Sequence, residues 1–101
     1  MLILHASLPV DPDRRADALD AAERLVEQTR REDGVLEYTA NVDVREPNTI
    51  RFVERYEDEA ALDAHLETDH YREFAAGLPE LLAGEPDVWQ FEVADATRPN
   101  L

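Results

Sequence analysis

The chain has 101 residues, enough for one domain, and 44% of them are apolar, too many for a disordered segment. It contains no cysteine, which excludes disulfides, thiol nucleophiles, thiolate zinc sites and iron–sulfur clusters. Twenty-four acidic residues against 10 basic ones, all of them arginine, give a net charge of −14, spread along the chain as a solvated surface.

That field opposes nucleic acid and anionic membranes, because no basic patch exists to release counterions. No apolar run reaches the ~20 residues of a membrane span, so a cytoplasmic protein is expected. Self-repulsion among so many carboxylates is screened far better in molar salt than in dilute buffer. The composition therefore reads as that of a protein from a high-salt cytoplasm. Its rival is an acidic protein from a GC-rich genome, which also favours arginine over lysine.

Residues 1–10, apolar and bounded by Pro9, predict a first strand. Asp11-Pro12 supplies a cap and a first-turn proline for an amphipathic helix over 12–32, which Gly34 stops. From Val35 to Val44 the period is two, with Leu36, Tyr38, Ala40, Val42 and Val44 on one face. Glu46-Pro47-Asn48-Thr49 is a turn, and Ile50–Glu57 is a third strand, so 35–57 forms a hairpin. The faces of that third strand stay ambiguous, with Phe52, Glu54 and Tyr56 on one side and Arg51, Val53 and Arg55 on the other. Asp58 caps a helix whose apolar stripe is Ala61, Leu62, His65 and Leu66. Thr68-Asp69 reads as a second start leading into Tyr71, Phe74 and Leu78, meeting Pro79 and ending before Gly84. Val88–Val93, carrying Trp89 and Phe91, is the last strand.

The order β-α-β-β-α-β with an extra short helix is an α+β, ferredoxin-like arrangement over residues 1–94, followed by a tail, 95–101. Both helices then cover one face of a four-stranded antiparallel sheet. Leu2, Leu4, Ala6 and Leu8, the Leu36 face, and Trp89, Phe91 and Val93 are expected beneath them. The opposite face holds Ile3, His5, Ser7, Thr39, Asn41, Val88 and Gln90. Its mixed polarity suits a partly closed cavity, and two copies packing these faces together would enclose a pocket on each side, so a homodimer is expected.

The run Phe52-Val53-Glu54-Arg55-Tyr56-Glu57-Asp58 through Leu62, His65, Leu66, Thr68, Asp69, His70, Tyr71 and Phe74 resembles the antibiotic biosynthesis monooxygenase family of dimeric α/β barrels. The Gly34-to-Tyr38 entry into the second strand fits as well. The resemblance covers residues 1–94. It implies a homodimer with a cavity between sheet and helices in each protomer. In cofactor-free members a quinol or anthrone is deprotonated and its electron-rich anion reduces O₂ directly. That chemistry needs an apolar slot, a base and donors for the anion, and no cofactor or metal. A haem-degrading activity fits poorly, since the matching positions hold His5 and Tyr56 and no histidine follows Tyr71.

On this reading the catalytic candidates are His65, Asn41, His5 and Glu54, and the substrate slot is Tyr56, Tyr71, Phe74 and Trp89. Each has a plainer account. His65 also suits a buried structural histidine, His5 a solvent-exposed strand residue, and Asn41 an ordinary polar strand residue. Glu54 also suits an ion pair with Arg51, Arg55 or Arg72, and the aromatics suit a plain core. His65 and His70, five residues apart, fall about 140° apart on one continuous helix, which disfavours a metal pair. Ser7 is the only serine, so no serine-hydrolase triad stands out. The partners expected are a second copy, a small aromatic substrate and O₂. The alternatives are a non-catalytic dimeric ligand-binding or stress-response module, and a proton-transfer enzyme using the same cavity.

Overall fold

A computed structural model describes all residues, 1–101. The strands are β1 (Leu2–Pro9), β2 (Val35–Val42), β3 (Thr49–Tyr56) and β4 (Asp87–Glu92), and the helices α1 (Arg15–Thr29), α2 (Glu59–Leu66) and α3 (Asp69–Leu81). The sheet runs β2-β3-β1-β4, with every neighbouring pair antiparallel, which is the ferredoxin-like topology. α1 and α3 pack on one another above the sheet, and α2 fills the corner between β3 and α3. No helix is long and apolar enough to cross a membrane.

The helix starts follow their caps. Asp11 accepts a hydrogen bond from the Asp13 N–H at 2.9 Å, Asp58 from Ala61 at 2.9 Å and Thr68 from Tyr71 at 3.2 Å. The helix expected over 12–32 is shorter: Pro12–Arg14 form a 3₁₀ turn, and the α-helix ends at Thr29. α3 continues through Pro79 to Leu81, giving up the one i→i−4 hydrogen bond that the proline nitrogen cannot donate. β2 stops at Val42, where Asp43 starts the turn by accepting the Arg45 and Glu46 N–H groups at 2.9 and 3.0 Å. Val44, expected on the buried face, is accordingly 99% exposed.

β3 resolves its ambiguous faces cleanly. Ile50, Phe52, Glu54 and Tyr56 lie buried under the helices, while Arg51, Val53 and Arg55 face away. Two face assignments need correction. A register shift between Val35 and Glu37 makes Leu36 a bulge residue, so it is exposed, and Val35 takes the core position instead. In β4, Trp89 stands opposite His5 and Phe91 opposite Ile3, which puts both on the helix-free face. Val88 and Gln90, opposite Ala6 and Leu4, take the helix side.

Gly34 closes the packing between the β2 entry and α2. Its φ is +82°, and a Cβ there would stand 2.7 Å from the Ala61 Cβ. Backbone and neighbour both require glycine at that turn.

Candidate active site

The side chains of interest meet at the α2 corner. β3's alternation points Glu54 and Tyr56 up from the sheet, and β2 adds Tyr38. The apolar stripe of α2 brings down His65. A break then re-aims the chain: the Thr68 hydroxyl donates to the His65 carbonyl at 2.7 Å and caps α3 in the same turn. The first turns of α3 add His70, Tyr71 and Phe74, and the turn leaving α1 adds Glu32.

His65 is the hub and is 1% exposed. Its ring lies 5.2 Å from that of Tyr38, 5.8 Å from Tyr56 and 5.1 Å from Tyr71, between centroids. Phe52 continues the aromatic wall, 5.7 Å from both Tyr38 and Phe74. Glu32 Oε2 lies 2.8 Å from His65 Nδ1 and 2.6 Å from His70 Nε2, so one carboxylate oxygen ties two imidazoles. Deeper in, the Tyr56 hydroxyl donates to Glu54 Oε1 at 2.6 Å.

Burial tunes these groups. It pushes the Glu54 carboxyl up to about 7, opposed by the Tyr56 hydrogen bond, which favours the ionised form. It holds the Tyr38 and Tyr56 phenols well above their ordinary range, reinforced by the Glu54 carboxylate. His65 is lowered by burial, against the opposing pull of Glu32. Near neutrality the corner therefore holds a neutral imidazole and a carboxyl group able to take or give a proton.

The sheet divides the sequence-predicted residues. His65, Glu54, Tyr56, Tyr71 and Phe74 gather on the helix side. His5, Asn41 and Trp89 lie on the helix-free face and do not join them. There His5 meets Phe91 edge to face at 5.4 Å, and the rings of Trp89, which is 61% exposed, and Phe91 stack at 6.5 Å. Asn41 Nδ2 donates to the Thr39 hydroxyl at 3.0 Å in an exposed strand position. Glu54 has Tyr56 as its partner, and Arg55 pairs with Glu37 at 2.8 Å across the sheet.

Sequence reasoning misses Glu32 and weighs His70 only to discount it as a metal ligand. The acid sits immediately before the Asp33-Gly34 stop signal, where it reads as surface charge. The histidine was set aside by a helical-wheel angle that fails because two helices, not one, carry the pair.

The interior beside this cluster is filled. An apolar void of about 10 Å³ lies between α1, α3 and the sheet against Leu8, Ile50, Phe52 and Phe74. The larger hollows are open grooves, about 330 Å³ between α1 and α3, about 410 Å³ between α1 and β2 and about 440 Å³ beside Met1, Asp58 and Glu92, and none is lined by His65, Glu54 or Tyr56.

A family model described as "Antibiotic biosynthesis monooxygenase" matches residues 1–77. The Bacillus subtilis protein named "Putative monooxygenase YcnE" is 37% identical over 95 residues, covering 94% of this chain and all of that one. A solved structure described as an antibiotic biosynthesis monooxygenase superposes with a TM-score of 0.88 at 28% identity, covering 94% of this chain and all of its own. Rv0793 from Mycobacterium tuberculosis superposes with a TM-score of 0.90 at 26% identity, over 96% of this chain and 98% of its own.

Proposed function

The chain belongs to the antibiotic biosynthesis monooxygenase family, and on that premise we propose that it is a cofactor-independent monooxygenase of a small quinol- or anthrone-like aromatic, working as a homodimer in a salt-rich cytoplasm. The observation that carries this reading is Glu54, a buried carboxyl group raised to about 7 and bonded to Tyr56 beside the neutral His65. A base with a pKa near the working pH removes a phenolic or benzylic proton most effectively. The resulting carbanion-like anion supplies the electrons that O₂ needs. One oxygen atom enters the product and the other leaves as water, with a CH₂ becoming C=O or a quinol becoming a hydroxyquinone.

Glu54 is the base on this reading. His65, whose Nδ1–H donates to Glu32, presents Nε2 as an acceptor that orients the substrate hydroxyl, and Tyr56, Tyr71 and Phe74 form the slot. Tyr71 and Phe74 are only half-buried on α3, so they are the wall that must move for a ring to enter. The homodimer is supported by the exposed apolar side chains Trp89 and Phe91 on the helix-free face. Partner contacts there would bring His5, Asn41 and Trp89 into an interface, away from the chemistry.

Oxygen consumption tests the reaction, using chelator-treated protein in molar KCl with reduced naphthoquinols and anthrones against protein-free blanks. Saturable uptake above the blank is expected, with Glu54→Gln lowering kcat about a hundredfold. The filled interior favours one second reading, a non-catalytic dimeric ligand-binding module. A flat trace from folded, dimeric protein selects it.

The salt dependence is tested separately. The melting temperature is expected to rise between dilute buffer and molar KCl, since the net charge of −14 is screened there. An unchanged melting temperature removes the high-salt part of the proposal.

A further inference from the structure

Glu32, His65 and His70 come from three separate elements: the turn after α1, the end of α2 and the first turn of α3. One carboxylate oxygen, His65 Nδ1 and His70 Nε2 lie within 4.8 Å of one another. The three side chains are 13%, 1% and 18% exposed, so all are held by their surroundings and none is a floating surface group. None of the three is paired with an arginine.

We infer that Glu32, His65 and His70 form a binding site for a divalent transition-metal ion of the zinc, cobalt and nickel class, with the remaining coordination positions open. Two imidazoles and a carboxylate are the donor set these borderline ions prefer. Calcium and magnesium ask for oxygen ligands throughout. The site is open-sided, with three protein ligands, the arrangement that leaves a position for water or a small ligand.

The geometry needs a small adjustment. Donors about 2.0–2.1 Å from a tetrahedral ion stand roughly 3.3 Å apart. Glu32 Oε2 is now 2.8 and 2.6 Å from the two nitrogens, so it must withdraw by about half an ångström to admit the ion. Glu32 lies in a turn beyond α1, outside any helix, on a side chain with three rotatable bonds. The two imidazole nitrogens, within 4.8 Å of one another, must also close to roughly 3.3 Å, which falls to the His70 ring, the more exposed of the pair. Metal on His65 Nδ1 and His70 Nε2 places each imidazole proton on the opposite ring nitrogen.

A route in exists on the His70 side. His70 forms part of the wall of the groove between α1 and α3, where Asp17, Asp20, Glu73 and Glu80 outnumber Arg14 and Arg24. Those carboxylates concentrate cations at the entrance.

The inference does not rest on the proposed oxygenation, in which Glu54 is the base, and it is tested without substrate. Metal-free, full-length protein is titrated with Co²⁺ in molar KCl and followed by visible absorption, with Zn²⁺ added afterwards as competitor. One equivalent of Co²⁺ is expected to give intense bands of a four- or five-coordinate ion, which Zn²⁺ abolishes. His70→Ala and Glu32→Gln, each checked for folding by circular dichroism, are expected to weaken binding at least about tenfold. Asp20→Asn, on the groove wall, serves as the control for loose binding to surface carboxylates and is expected to leave the spectrum unchanged. Only faint octahedral bands, or binding that His70→Ala leaves intact, would overturn the site. In that case Glu32 serves purely as a hydrogen-bonded tie between two histidines. Because no substrate enters the measurement, this result leaves the oxygen-uptake experiment to decide the proposed reaction by itself.

Discussion

Glutamine in place of Glu54 is expected to make the protein more stable than wild type at pH 8.5, by roughly 3 kcal/mol, and to change little at pH 4.5. Glu54 is 7% exposed and its carboxyl is raised from 4.5 to about 7 by burial. Between those two values the folded chain binds a proton that the unfolded chain has released. The stabilising contribution of the neutral carboxyl is therefore complete below pH 4.5 and is lost as pH rises through about 7. Above that point the folded protein carries a buried, ionised carboxylate with one hydrogen bond, from Tyr56. Glutamine keeps an acceptor for that hydroxyl and never ionises. Urea unfolding of both proteins at pH 4.5, 6 and 8.5 in the same salt measures this, and taking the difference cancels the other carboxylates. A difference that stays flat across the window would show that Glu54 is not held in a desolvating site.

Removing the hub is expected to cost more. His65→Ala should lower unfolding free energy by roughly 3–4 kcal/mol, the range for deleting a large buried ring. Three aromatic rings lose a neighbour, and Glu32 keeps only His70 as a partner. Leu66→Ala, one residue on and 41% exposed, is the comparison and should shift stability by no more than about 0.5 kcal/mol. Denaturation midpoints at an unchanged m-value are the measurement. Equal losses for the two variants would refute the packing described around His65.

These residues also show what the sequence makes legible and what it hides. Wherever a strong local signal had one structural answer, the pattern read correctly. Asp58 and Thr68 each cap the helix they announce, Asp11 caps the 3₁₀ turn that leads into α1, and the hairpin of β2 and β3 follows from its period and its turn. The order of those elements gives the ferredoxin-like fold, and the run from Phe52 through Phe74 carries the resemblance to the family. Phase was harder. β4 is exposed at all six positions, so no burial constrains which of its faces meets the helices, and apolarity pointed Trp89 and Phe91 the wrong way. Leu36 shifted because a bulge adds one residue that period-two counting cannot see.

The site itself depends on contacts distant in sequence. Glu32 meets His65 and His70 across 33 and 38 residues, and no local spacing encodes that meeting. The break at Thr68 turns a five-residue interval from opposite faces into a shared ligand set. A helical wheel assumes a continuous helix, and that assumption failed here.

The exposure of β4 bears on how the molecule opens. Within one protomer this strand is hydrogen-bonded only to β1, with all six of its residues exposed. In the isolated protomer little apolar area is lost when it peels away, so its release there belongs to the low-energy end of native fluctuations, and a second copy docked on Trp89 and Phe91 would hold it down. Met1 is bound to Val93 just beyond it, the amide of Val93 donating to the Met1 carbonyl at 2.9 Å. Peeling therefore frees the two chain ends together, exposing the edge of β1 from Leu2 to Ser7 and its amides to exchange while the β2–β3–β1 ladder and its helices stay folded.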